Sequence, residues 1–259
     1  MNLTLIAIFS AVSLFFGMLL FFEVGRRFGM ARLARDPEGL AKGTGAAEGA
    51  VFGLLGLILA FSFSGAATRF EERRHLITEE ANAIGTAYLR LDLLPANAQP
   101  QLRAFFRQYL DLRATIYQSP NDEPATNSRL EKAAALQTDI WNTSLVASRH
   151  QDASPDAAKL LLPALNEMID ITTTRATATE NHPPLVVYLL LAGLSLIGAM
   201  LVGYAMSANK GHSRLHSISF AAVISLATYV IIDLEFPRLG LIRVDDADKV
   251  LVDLSKSLE

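Results

Sequence analysis

The chain has 259 residues, with 23 Lys and Arg against 26 Asp and Glu, and no cysteine. Its mean hydropathy of +0.29 is high for a water-soluble protein of this length and points to a membrane. Disulfides, thiolate metal sites and a cysteine nucleophile are excluded, and basic residues interleave with acidic ones, so the concentrated cationic face that nucleic acid requires is missing.

A helix needs about 20 apolar residues to cross roughly 30 Å of hydrocarbon. The first run of that length is Leu3–Phe22. No Lys or Arg precedes it and no small-x-small site closes it, so it reads as a retained anchor rather than a signal peptide. The link Glu23–Glu48 is polar, basic and glycine-rich, and reads as a loop with at most one helical turn. Its end, GTGAAEG, puts Glu48 where a dinucleotide fingerprint needs a third glycine. A carboxylate at that place suits the positive end of the helix that follows.

The second run, Gly49–Ala67, passes without a proline into a charged stretch that ends at Leu94-Pro95. Residues Phe70, Ile77, Ala81, Ile84, Tyr88 and Leu91 recur every three or four positions, which predicts one helix of about 46 residues and about 70 Å. Within it Gly49, Gly53, Gly56, Ala60, Ser64 and Ala67 share one face. Small residues let backbones approach in lipid, either within one subunit or between copies of the helix around an axis. In the second case Ser62, Ser64 and Thr68 supply hydroxyls and Phe61 or Phe63 a constriction. The pore-lining candidates are therefore Gly53, Gly56, Ala60, Phe61, Phe63, Ser64 and Thr68.

Three more amphipathic helices are expected outside the bilayer. One covers about Pro100–Tyr117, with Leu102, Phe105, Phe106, Tyr109 and Ile116 facing inward, and ends at the turn SPNDEP. The next covers about Arg129–Arg149, with a weak stripe of Leu130, Ala134, Gln137, Trp141, Ser144, Leu145 and Ser148. The last starts at Ser154-Pro155, shows Leu161, Leu162, Leu165, Met168, Ile169 and Thr172, and stops at NHPP. With their short links these helices predict an antiparallel bundle.

Two further spans follow, Leu185–Met206 and Ser217–Leu234, joined by SANKGHSRLH. The fold class is thus all-α, a polytopic membrane protein with four transmembrane helices and an extramembrane bundle between spans two and three. The chain divides into residues 1–67, 68–184 and 185–259, the last including a polar C-terminal tail. Both short links carry cations, Arg26, Arg27, Arg32, Arg35, Lys42, Lys210 and Arg214, which the positive-inside rule places in the cytoplasm, leaving the bundle exoplasmic.

Acidic groups at the bilayer edge are costly unless paired or functional. Asp233 and Glu235 end the fourth span, on the same side as Arg69, Arg73 and Arg74, which predicts interhelical ion pairs among these five residues. The default for the charged run TRFEERRHLITEE is a solvated face laced with local pairs. His212 and His216 have an i, i+4 spacing without acidic neighbours, so no metal site is expected, and His75, His150 and His182 read as isolated. No HExxH, G-x-S-x-G or GxxxxGK[ST] is present, so no catalytic residue, cofactor or enzymatic activity is expected.

Two blocks, GLLGLILAFSFSGAATRFEERRHLITEEANAIGTAYLRLDLLP and HSISFAAVISLATYVIIDLEFPRLGLIRVD, resemble the bestrophin-like family of bacterial membrane proteins. Bestrophins proper are pentameric, largely anion-selective channels whose second span lines the pore. The resemblance therefore implies a homo-oligomeric, multi-pass protein of the bacterial inner membrane whose partners are the lipid bilayer, further copies of the chain and inorganic ions. Among the carried-over positions, Phe61, Phe63 and Ser64 correspond to a constriction. The chain lacks the acidic calcium clasp of bestrophins, and its charge bias runs against their cytoplasmic domain. The rival reading is a non-conducting sensor or scaffold whose bundle binds a small ligand or a partner protein.

Overall fold

The structure, a computed structural model, describes residues 3–35, 45–116, 123–207 and 214–258. Lys42, Lys210, His212 and most of the SPNDEP turn lie outside the described residues. Within them all regular secondary structure is helical: α1 (Leu3–Leu33), α2 (Gly45–Leu89), a 3-10 turn (Arg90–Leu93), α3 (Gln99–Thr115), α4 (Glu123–Ala147), α5 (Ala157–Glu180), α6 (Leu185–Met206), α7 (Arg214–Glu235) and α8 (Asp245–Ser257). Four stretches, containing α1, α2, α6 and α7, are long and apolar enough to cross a membrane. The chain forms two compact units, one of residues 1–68 and 182–236, the other of residues 69–181 and 237–259.

In the first unit, α1 packs on α6 and α7 around Leu14, Met18, Phe22, Ala199 and Ala221. The rings of Phe22 and Phe52 each meet Phe220 edge-on at 6.0 Å. Helix α1 runs 11 residues beyond the expected end of the first span, through residues read as a loop. The glycines there are contact points and not breakers: a Cβ built on Gly29 falls 2.1 Å from Ser207 Oγ of the facing chain, and one on Gly203 falls 2.1 Å from the Phe22 carbonyl oxygen. Its polar end is held locally, Arg26 and Arg27 reaching Glu23 at 2.9 and 2.8 Å.

The second unit has one apolar core, built from Ile77, Ile84 and Leu91 of the α2 segment with Leu102, Phe106, Tyr109, Ile140, Leu161, Leu165 and Met168. Helix α2 continues unbroken through Leu89 and tightens into the 3-10 turn before Pro95, whose preceding residue is extended at φ −90°, ψ 160°. The stripes expected on α2, α3 and α5 point inward, and that of α4 does so from Gln137 onward, with Trp141 packed against the core and Ser144 and Ser148 buried, but not in its first turns. Ala133, Ile140, Ser144, Ala147 and Ser148 are its buried positions, and Leu130 and Ala134 are exposed. The residues read as a polar tail contribute α8, which seats Leu251 in this core and bonds Ser255 Oγ to Asp111 at 2.7 Å. The reading of a polar tail passed over a short amphipathic stripe, Ala247, Leu251, Leu254 and Leu258, which recurs at helical spacing and faces this core.

Candidate functional site

Helix α2 turns two different faces within the span unit. Leu55 and Ala66 are buried, and Phe52 lies against Phe220 and beside Gly198 of α6. The opposite side is open. Gly53, Gly56, Ala60, Phe61, Phe63, Ser64 and Thr68 are all exposed, Phe61 at 66% and Phe63 at 47%. A Cβ added at Gly49, Gly53 or Gly56 meets nothing within 4 Å. Close packing inside one subunit therefore does not use these glycines; that role falls to Gly25, Gly29 and Gly203. At about 100° per residue Phe63 falls at the edge of the small-residue stripe, whereas Phe61 lies about 100° round from Ala60.

The charged residues singled out in the sequence divide between the two units. Arg73 is buried and donates from Nε to the Ala178 carbonyl and from Nη2 to the Asn181 carbonyl, both at 2.9 Å. A cation there satisfies carbonyls left open where α5 ends before Pro183. Arg74 pairs with Glu71 at 2.9 Å on an exposed face, and Arg69 belongs to the same unit. Asp233 and Glu235 are buried in the span unit, where Tyr229 OH donates to Asp233 at 3.2 Å and His182 Nδ1 stands 3.4 Å from Glu235. His182 is thus not isolated: its ring also tilts against Phe236 with centroids 4.6 Å apart. His75 and His150 have local acidic partners, Glu79 at 3.1 Å and Asp152 at 3.4 Å.

The structure adds a buried charge network that the motifs did not reveal. Glu80 of α2 is fully buried and is gripped by Arg113 of α3 and Arg175 of α5. Arg113 Nη2 donates a second bond to Glu80 at 3.1 Å. Burial alone pushes the Glu80 carboxyl up, but the Arg113 hydrogen bond and the charges of both arginines outweigh it and hold the group below its ordinary value. Burial pushes the neighbouring Tyr109 up to about 12, and its hydroxyl accepts a 3.0 Å bond from Gln137. Asp248 of α8 extends the network, bound through both oxygens by Arg238 at 2.6 and 3.1 Å. Arg113 and Arg175 carried one sequence signal: each sits seven residues after a core residue, Phe106 and Met168, on a stripe otherwise apolar.

Among the described residues no group of three or more His, Asp or Glu is arranged to hold a metal ion.

No curated protein matches the chain in sequence. Solved structures do match in fold. A bacterial bestrophin homologue from Klebsiella pneumoniae, phased by Zn-SAD, superposes with a TM-score of 0.63 at 16% identity over 93% of this chain and 98% of its own. Two single-site mutants of that homologue give TM-scores of 0.65 and 0.66, each at 15% identity over 95% of this chain and 99% and 98% of theirs. The profile of the bestrophin-like domain matches residues 11–248. With four apolar helices long enough to span a bilayer, an all-helical fold shared with those structures and this match over most of its length, the chain is an integral membrane protein of the bestrophin-like family.

Proposed function

We propose that the chain forms a homo-oligomer, pentameric as in bestrophins, in the bacterial inner membrane, in which copies of α2 surround an axis and line an ion pathway. One observation carries this reading: a Cβ added at Gly49, Gly53 or Gly56 meets nothing in its own subunit, whereas one added at Gly25 or Gly29 of α1 or Gly203 of α6 collides with neighbouring backbone. A face kept smooth in lipid and left open by its own subunit suits close approach of further copies. Phe63 forms the constriction, Ser64 offers a hydroxyl to a partly dehydrated ion, and the protein has no enzymatic role. The cationic links lie in the cytoplasm and the helical bundle on the exoplasmic side, as the positive-inside rule favours.

The test is conductance of the purified oligomer in planar bilayers. Current that changes on Phe63→Ala supports the reading, and silence from an oligomer verified by native mass spectrometry rejects it. A sensor or scaffold is the second reading, favoured by a groove of about 500 Å³ in the second unit, where Asn97, Asn142, Thr143 and His150 offer polar groups beside Pro95 and Val146. A monomer or dimer without conductance favours this alternative.

A further inference from the structure

The connection between α7 and α8 is a closed loop. Val244 N donates to the Pro237 carbonyl at 3.1 Å, which joins the two ends, and Val244 itself is buried in the core of the second unit. Arg238 ties the same base to Asp248 of α8. The tip between these anchors reads Leu239-Gly240-Leu241-Ile242 and is followed by Arg243. Leu241 is 79% exposed, the highest value for a large apolar side chain among the described residues.

One exposed leucine on an ordinary surface needs no explanation. The place of this one in the chain does. Glu235 ends a membrane span, and Pro237 follows two residues later, so the mouth of the loop stays within about 7 Å of the end of that span. Leu241 is three residues from Val244, which keeps the tip within about 10 Å of the mouth. The headgroup layer beside the hydrocarbon is itself about 5–8 Å deep. Chain length thus confines Leu241 to the neighbourhood of the boundary between lipid and water. Leu89 is the contrast: it is 69% exposed, but stands on α2 about 30 Å of helix beyond Thr68.

We infer that this loop is an interfacial anchor, its tip entering the boundary between the headgroups and acyl chains of a phospholipid surface. Leu241 supplies the inserted group, with the half-exposed Leu239 and Ile242 beside it. Arg243 is exposed and pairs with the equally exposed Asp245 at 2.7 Å. Such a surface pair contributes little, so the guanidinium can turn to a lipid phosphate, which it binds by charge-assisted hydrogen bonds. Apolar groups below and a cation at headgroup level are the arrangement by which segments lie in a membrane surface. The anchor stands independently of whether the chain conducts.

Because the chain has no cysteine, Leu241→Cys and Leu89→Cys each accept a single label in the full-length protein. Both are labelled with the environment-sensitive fluorophore NBD and reconstituted in vesicles of phosphatidylethanolamine and phosphatidylglycerol. The label at position 241 is expected to emit at shorter wavelength than the label at 89, and to lose emission when the vesicles carry nitroxide lipids, more so with the nitroxide near the headgroup than deep in the acyl chain. A shift to shorter wavelength without quenching by lipid nitroxides places a second copy or another protein surface over the tip. Emission as in water, without quenching, leaves it in solvent, and either result overturns the inference. Should the labelled variant not elute as wild type does, Leu241→Trp in a Trp141→Phe background reads the same contact through quenching by brominated acyl chains, and its absence there overturns the inference equally.

Discussion

Gly25 on α1 and Met200 on α6 meet backbone to backbone: a Cβ built on Gly25 falls 1.9 Å from the Met200 carbonyl oxygen. No rotamer adjustment relieves that overlap, because the obstacle is main chain. Gly25→Ala must therefore push the two helices apart and destabilise the span unit by about 1–3 kcal/mol or more. A lowered midpoint in thermal unfolding of the detergent-solubilised protein is the expected result, and an unchanged midpoint contradicts the packing described.

Gly53→Ala provides the contrast. The added methyl meets nothing in its own subunit, and Ala is favoured over Gly in a helix by about 1 kcal/mol. The isolated subunit is expected to be as stable as wild type. If α2 lines an assembly, its population of oligomers by native mass spectrometry falls or its conductance changes; an unaltered assembly with unaltered current argues that this face meets lipid.

Phe63→Ala and Phe61→Ala separate two positions that the sequence alone treats as equivalents. Phe63 borders the small-residue stripe and Phe61 does not, so the first substitution is expected to raise or reshape single-channel current and the second to leave it near wild type. The reverse order in planar bilayers places a different face of α2 toward the pathway.

Glu80 makes stability depend on acid. Its folded value is held below the ordinary 4.5, so the stabilisation is fully present above that pH and is lost as pH falls toward the depressed folded value. Thermal midpoints of the wild type are expected to drop below about pH 4.5. Glu80→Gln leaves Arg113 and Arg175 buried without their anion and costs about 3–5 kcal/mol at neutral pH. The variant should also lose much of the acid dependence; an identical pH profile in both proteins removes Glu80 as its source.

These residues also show where the fold was legible and where it was not. Spans are set by length and apolarity, so α1, α2, α6 and α7 stand out in the sequence, and the stripe Ile77, Ile84, Leu91 marks the buried side of α2. The extension of α1 was hidden because Gly25 and Gly29 beside arginines look like a loop, and only the facing α6 turns them into contacts. Arg113 and Arg175 were hidden because an arginine on an amphipathic helix normally reaches water. Their common partner, Glu80, is 33 and 95 residues away. The first turns of α4 were misread, with Leu130 and Ala134 exposed and Ala133 buried instead, because its inward face is mostly Ala and Ser, which contrast little with its outer face. The open side of α2 was visible as a run of small residues, but whether its own subunit filled it required the neighbouring helices.

The chain order of the second unit has a consequence for biogenesis. Residues 69–181 leave the ribosome well before α8, and α6 and α7 are synthesised between them. The place of Leu251 and the Ser255 partner of Asp111 are therefore vacant while two apolar helices are being handed to the translocation machinery. Completion of that core reports that both later spans have been made, which gives quality-control proteases a simple mark of an unfinished molecule.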